Sequence, residues 1–337
     1  MEVLQMTPLC EADLLLVIYV LMDDWFRDKG KALLQATWGA SRPGPERGSG
    51  SLTLSETLTL LVAMDLMNFD CERKFLAHLG ANHSTLWSAA LPEHSWFNRQ
   101  GRDLSFLLES FRQALAGDLG IWEENVFLLD TTPVEVVAYN RSKKKSDFAG
   151  SAALGYCASQ KKRYFGYKLV VLSSLNGIPA AFDAVPANMD EREAAQAVLP
   201  FLTSPERLEW RASKGLAAGD GPEATIIGDK GFIGEDWARE QRRTYGAAIA
   251  TPRRSNQHVQ WPAGVNKALN RARQRVETLN GMLKNGARNV GRTLAKTVQG
   301  LASRLVARFA ALTVRFWLKK FWGVDTANLL WDCDPAV

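Results

Sequence analysis

The chain has 337 residues, 46% apolar and 23% charged, with a net charge of +5. This balance belongs to a globular protein long enough to hold two domains and bury a large core, and it excludes a disordered or fibrous chain. The apolar run Leu14–Met22, bounded by Asp13 and Asp23, is too short to span a bilayer, and no targeting segment is visible.

Residues up to about 120 read as helical. Leu14, Val17, Ile18, Leu21 and Met22 recur at helical spacing, as do Leu54, Leu58, Leu61, Val62 and Leu66. Between them Gly39–Gly50 has the Gly, Pro and Ser content of a loop or linker. Successive short helices suit a helix-turn-helix DNA reader or a packing collar equally, and no recognition-helix pattern decides. The expected divisions are 1–120, 121–290 and 291–337.

After residue 120 the pattern changes. Val126–Val137 reads as a buried strand interrupted at Pro133. Tyr164–Ser173 and Ile178–Val185 read as strands joined at Ser174–Gly177, where Asn176-Gly177 is a hairpin signal. A helix is expected from Glu191 to about Leu202, with Asp190 as its cap and Glu193 completing a capping box. Thr203–Glu223 reads as a polar connection. A strand at Thr225–Gly228, a helix near Glu235–Arg243, a strand at Gly246–Ala250 and a long helix over Lys267–Lys284 follow. The segment containing Phe309, Leu312, Phe316, Trp317, Lys319, Lys320 and Phe321 is most simply an amphipathic helix on the core, a dimer contact being the alternative.

Three acids stand out against this frame. Asp130 ends the run Val126-Phe-Leu-Leu-Asp130, Asp229 ends Ala224-Thr-Ile-Ile-Gly-Asp229, and Glu277 is the lone acid of a basic helical stretch. A carboxylate at a strand end has a rigid mount on one side and water on the other, and three together can hold two divalent cations for phosphoryl transfer. Asp183 and Asp190 are the competing acids, the first on a hairpin strand, the second explained as a cap.

Charge supports a polyanionic partner. Fifteen of the 41 basic residues and one of the 36 acidic ones lie between Arg253 and Lys320. A second basic stretch holds Lys143, Lys144 and Lys145, then Lys161, Lys162 and Arg163. Both runs border the candidate acids, so a polyanion is the expected partner, these six residues being candidate contacts to it. The neighbouring Tyr164, Phe165 and Tyr167 read as strand packing in preference to base stacking. Cys10, Cys71, Cys157 and Cys333 form no CxxC pair, which fits a reducing cytoplasm. His78, His83, His94 and His258 are read as unpaired at ligand spacing, so no zinc site is expected.

The order of strands and helices resembles the ribonuclease H-like fold of retroviral integrases and DDE transposases, an α/β mixed sheet with flanking helices. That family places its first carboxylate on the first strand, its second at the fourth and its third on a later helix, the places of Asp130, Asp229 and Glu277. Bacterial insertion-sequence transposases carry Asp-x-Gly-Phe/Tyr at the second acid, as in Asp229-Lys-Gly-Phe232. At the third they carry Tyr-x2-Arg-x3-Glu-x6-Lys. Here Arg273, Glu277 and Lys284 hold that spacing, with Asn270 in place of Tyr. Positions 270, 273, 277 and 284 fall within roughly 60° on a helix, so an acid would be flanked by two phosphate-binding cations.

Further segments resemble the nine-eighty-two group of insertion sequences: Val17–Asp24, Leu91–Arg99 and Gly155–Leu169. The resemblance implies a transposase that uses Mg2+ (Mn2+ as substitute) on Asp130, Asp229 and Glu277. It would cleave double-stranded DNA at terminal repeats, join the 3′ ends to target DNA, and act as a homo-oligomer on DNA. A structure-selective nuclease of the same fold and a non-catalytic DNA-binding derivative are the alternatives.

Overall fold

The computed structural model describes residues 9–39, 51–137, 146–157, 161–216, 223–253, 260–284, 289–291 and 294–324. They form two compact units.

The helical unit takes the chain up to Leu119 and again from Gln299. It holds α1 (Glu11–Trp25), α2 (Lys31–Trp38), α3 (Leu54–Leu66), α4 (Glu72–Asn82), α5 (His94–Asp103), α6 (Ser105–Asp118) and the C-terminal α11 (Val298–Trp322). All thirteen residues of α3 are buried, which makes it the centre of the bundle. Thr53 and Glu56 cap its start reciprocally: each side chain accepts from the other residue's backbone N–H, at 3.2 and 2.7 Å. Helix α11 enters this core through Ala307, Ala310, Ala311, Val314 and Leu318. Its buried Arg308 forms an ion pair with Asp65 of α3, 243 residues away. The amphipathic reading of the C-terminal segment thus finds its surface in the N-terminal helices.

The second unit spans Gly120–Asn285 with Asn289–Val298 and is built on a six-stranded sheet. Its strands are β1 (Val126–Val137), β2 (Ala153–Cys157), β3 (Lys162–Ser174), β4 (Pro179–Pro186), β5 (Ala224–Ile227) and β6 (Ala247–Ala250). Strand β1 lies antiparallel to β3 and parallel to β5, and β5 is parallel to β6. The far edge of β3 pairs first with β2, through Lys162–Gly166, and then with β4, through Tyr167–Ser173. Helices α7 (Glu191–Ala195), α8 (Pro205–Ser213), α9 (Glu235–Tyr245) and α10 (Ala263–Lys284) complete the unit. This mixed sheet with flanking helices, preceded by a helical region, is the ribonuclease H-like arrangement.

Several local expectations need correction. Strand β1 runs through Pro133 without a break. The carbonyl of Val134 faces Gly166 of β3, so Pro133 turns its nitrogen to the other edge. That edge is open there, because β5 pairs only with Val126–Leu128, and the missing N–H costs no ladder bond. Strand β2 was not anticipated; its alternation of exposed and half-buried residues is short and Gly-containing. The helix expected over 191–202 stops at Ala195 and resumes as a 3-10 turn, Leu199–Thr203, around Pro200. Asp190 does cap α7, accepting from the Arg192 N–H at 3.0 Å. The expected connection after Thr203 contains α8, which starts at Pro205, a residue suited to a first helical position. Tyr164, Phe165 and Tyr167 are buried, in keeping with packing. Among the described residues no helix is long and apolar enough to cross a membrane.

Candidate active site

Parallel pairing of β1 and β5 ends at Leu128–Ile227. Two residues further along each strand direction come Asp130, still within β1 and paired with Val171 of β3, and Asp229, just past the end of β5, so the two acids stand at the same level of adjacent parallel strands. Open α/β sheets form their ligand crevices where a parallel strand such as β5 ends. Asp130, Asp229 and Glu277 all line one cleft of about 540 Å³, together with Arg273, Lys284, Glu191, Lys168, Asn280, Tyr164 and Cys157.

The segment after β5 is shaped around its second acid. Asp229 Oδ1 accepts from the Gly231 N–H at 2.7 Å, closing a tight turn. Phe232 is buried and folds back on Gly228, where a Cβ would lie 2.7 Å from its ring. At Gly231 a Cβ would fall 1.3 Å from Glu191 Oε2, so only glycine lets that carboxylate approach.

Helix α10 presents Arg273, Val276, Glu277, Asn280, Gly281 and Lys284 to the cleft. Val276 and Ala272 pack on Leu128, with Leu175 and Ile227 alongside, and this small apolar cluster sets the helix against the sheet. Arg275 donates to the Leu175 carbonyl at 2.8 Å, and Asn280 donates to Asp130 Oδ2 at 2.5 Å. Asn270 does not line the cleft: the presented face starts one turn later than the four-position spacing predicts.

The electrostatics are those of crowded acids. Burial pushes the Asp130 carboxyl up to about 6, with the Asp229 charge adding to it, against bonds from the Thr131 backbone and Asn280 and the attraction of Lys284. Glu191 is likewise raised, by burial first and then by Asp229 and Asp130, with Lys168 opposing. Tyr164 is pushed up to about 12 by burial, so it remains a neutral hydroxyl. A half-buried group of carboxylates that repel one another is what a hard divalent cation would relieve, and carboxylate oxygens are its preferred donors. The three predicted acids share the cleft without closing on one point; among the described residues they form no set of ligand atoms all within 4.8 Å.

Sequence reasoning missed Glu191 and Asn280. An acid in the first turn of a helix is ordinary, and Asp190 beside it already explained that helix start. Asn280 stands three residues after Glu277 and four before Lys284, on their face, but a neutral amide drew no attention. Of the competing acids, Asp183 points its Oδ1 at the Ala184 N–H and lies outside the cleft. Lys161, Lys162 and Arg163 are exposed at the start of β3 and do not line the cleft, and Lys162 is paired with Glu135 at 2.5 Å. Lys143, Lys144 and Lys145 lie outside the described residues.

No curated protein and no solved structure gives a significant match to this chain. Residues 121–314 match the family model described as the transposase DDE domain. That match spans the whole sheet unit, the cleft and more than half of the chain, and the chain belongs to the DDE transposase family.

Proposed function

We infer that the protein cleaves DNA at the ends of an insertion sequence and joins the freed 3′ ends to target DNA. The observation that carries this reading is the convergence of Asp130, Asp229 and Glu277 with Arg273 and Lys284 in one cleft, from positions up to 154 residues apart. Asp130, Asp229 and Glu277 would hold divalent cations, Mg2+ by preference and Mn2+ as a substitute. Such ions supply Lewis-acid activation of the attacking oxygen and stabilise the leaving one.

The chain's own contribution is placement. Arg273 and Lys284 flank Glu277 on α10 and would grip the phosphates on either side of the scissile bond, Arg as a planar fork and Lys as a point charge. Asn280 keeps Asp130 oriented through its hydrogen bond. Glu191, the fourth carboxylate, would hold water in the cleft on the side of Asp229. In the first step water adds to phosphorus and the 3′ oxygen departs, leaving a 3′-hydroxyl and a 5′-phosphate. In the second that hydroxyl attacks a target phosphodiester and displaces its 3′ oxygen. Both are displacements at phosphorus, so no covalent protein intermediate is required.

The exposed Lys161–Arg163 edge, with Lys143–Lys145 nearby in sequence, would follow the DNA backbone beyond the cleft. The helical unit is the part free to recognise the element ends, as one of at least two copies on DNA. Membership of the nine-eighty-two group fits the segments that resemble it. The test is Mg2+-dependent nicking of a labelled duplex carrying the DNA that flanks the gene, comparing wild type with Asp229→Ala. Nicking by the wild type alone, with equal DNA binding, supports the reading. Equal nicking by both removes Asp229 from the site, and binding without nicking by either favours a non-catalytic DNA-binding protein.

A further inference from the structure

The helical unit holds a second constellation, far from the acids in sequence and unused by the reaction above. Glu11, in the first turn of α1, accepts on a single oxygen from two imidazoles: His78 Nε2 at 2.7 Å and His83 Nε2 at 2.9 Å. The two rings stand edge to face with centroids 5.9 Å apart. Among the described residues this is the group of three ligand-type side chains whose donor atoms all lie within 4.8 Å. The expectation that no histidines pair at ligand spacing is therefore corrected. His78 and His83 are separated by four residues, within the His-x3–5-His range of zinc sites, and the third ligand was hidden 67 residues upstream.

We propose that Glu11, His78 and His83 form a binding site for a Zn2+-class divalent cation that ties the start of α1 to the end of α4. Two imidazoles and a carboxylate are a donor set that zinc accepts with a fourth position left for water. Zinc bonds of about 2.0–2.1 Å at tetrahedral angles place donors about 3.3 Å apart, so each imidazole–carboxylate spacing needs to open by only about half an ångström.

The surroundings fit a cation in three ways. His83 follows α4 as its C-cap, and the last carbonyls of that helix put negative potential beside the site. Cys10 caps α1 through its sulfur, which accepts from the Asp13 N–H and fixes the turn carrying Glu11. The ring of His78 rests against Phe69, centroids 5.1 Å apart, and its Nδ1 meets the Asn82 amide at 3.1 Å. A ligating imidazole carries its proton on the other nitrogen, so Asn82, whose Nδ2 also donates to the His78 carbonyl at 2.9 Å, would have to release that bond to present its oxygen. In the hydrogen-bonded arrangement one carboxylate oxygen serves two donors; with the ion bound, all three side chains become donors to one centre.

The experiment uses the full chain, stripped by chelation, with Zn2+ alone as the probe and excess Mg2+ present to occupy the oxygen-lined cleft. Wild type and Asp229→Asn should each retain one Zn2+ through gel filtration. Glu11→Gln and His83→Ala should lose it, with affinity falling by more than the roughly 10–100-fold typical of an outer-shell change. Glu11→Gln keeps the size and hydrogen-bonding capacity of the side chain, so its metal-free melting temperature should match that of the wild type. Added Zn2+ should then raise the melting temperature of wild type and leave Glu11→Gln unmoved. Co2+ should give the intense visible bands of a four-coordinate ion in wild type and Asp229→Asn, and not in Glu11→Gln. No zinc retained by wild type, equal retention by Glu11→Gln, or loss on Asp229→Asn would each overturn the site.

Discussion

At the scale of single residues, Asp130 carries the largest conflict between fold and function. Its carboxyl titrates near 6 in the fold against 3.8 for an unperturbed aspartate, chiefly because it is buried. A raised acid pKa means that the folded chain resists ionisation, so in the metal-free protein the group destabilises fully above pH 6. The penalty fades as pH falls from 6 to below 3.8, where both states are protonated. Asp130→Asn should therefore raise metal-free unfolding stability at pH 7.5 by about 1–3 kcal/mol and change little at pH 3.5, read by urea titration at both values. A variant that is more stable and inactive is the mark of a residue kept for chemistry. Gly231 gives a second prediction. A methyl there would strike Glu191 Oε2, so Gly231→Ala should evict that carboxylate. We expect nicking by Gly231→Ala and by Glu191→Gln to fall by similar factors, about 10–100-fold, and the double variant to fall no further. An additive loss would mean that Glu191 and Gly231 act separately.

Among the elements, β1 and β5 form the rigid mount and α10 is the part that must be placed. The helix rests on the sheet through Leu128, Ala272 and Val276, the Arg275 bond to Leu175 and the Asn280 bond to Asp130. Val276→Ala should cost about 1–2 kcal/mol of stability and lower the nicking rate more than substrate affinity, because it loosens Glu277 and Lys284 together. A loss confined to DNA binding would contradict that. This is also the scale at which the sequence was most and least informative. Strands β1, β3, β4, β5 and β6 and helices α9 and α10 were legible because long apolar runs or 3.6-residue periodicity mark them. Strand β2 was not, since five residues with a glycine and one pairing edge leave too weak an alternation. Pro133 misled because the cost of proline depends on which edge its nitrogen faces, a tertiary fact. Asp130, Asp229 and Glu277 could be picked out because apolar runs end in them or basic residues surround them. Glu191 could not, as only the close approach permitted by Gly231 gives it a place in the cleft.

For the whole molecule, the helical unit is closed by its sequence extremes. Helix α11 lies among the first helices, and its Arg308 meets Asp65 where both are buried. Removing one partner strands a charge in the core, so Asp65→Ala should cost about 3–5 kcal/mol, while replacing both partners with leucine-sized apolar residues should recover most of it. Calorimetric unfolding of the single and double variants checks this, and equal losses in both would assign the effect to packing alone. The central claim concerns the other unit: carboxylates from β1, the end of β5 and α10 act as one metal-dependent site. The most direct measurement is single-turnover, Mg2+-dependent nicking of an end-bearing duplex by wild type, Asp130→Asn, Asp229→Asn, Glu277→Gln and the triple variant. Groups that act as a unit are non-additive, so each single change should lose nearly as much as the triple, on the order of 1,000-fold or more. A Glu277→Gln enzyme within tenfold of wild type, or nicking that persists without a divalent cation, would contradict the account.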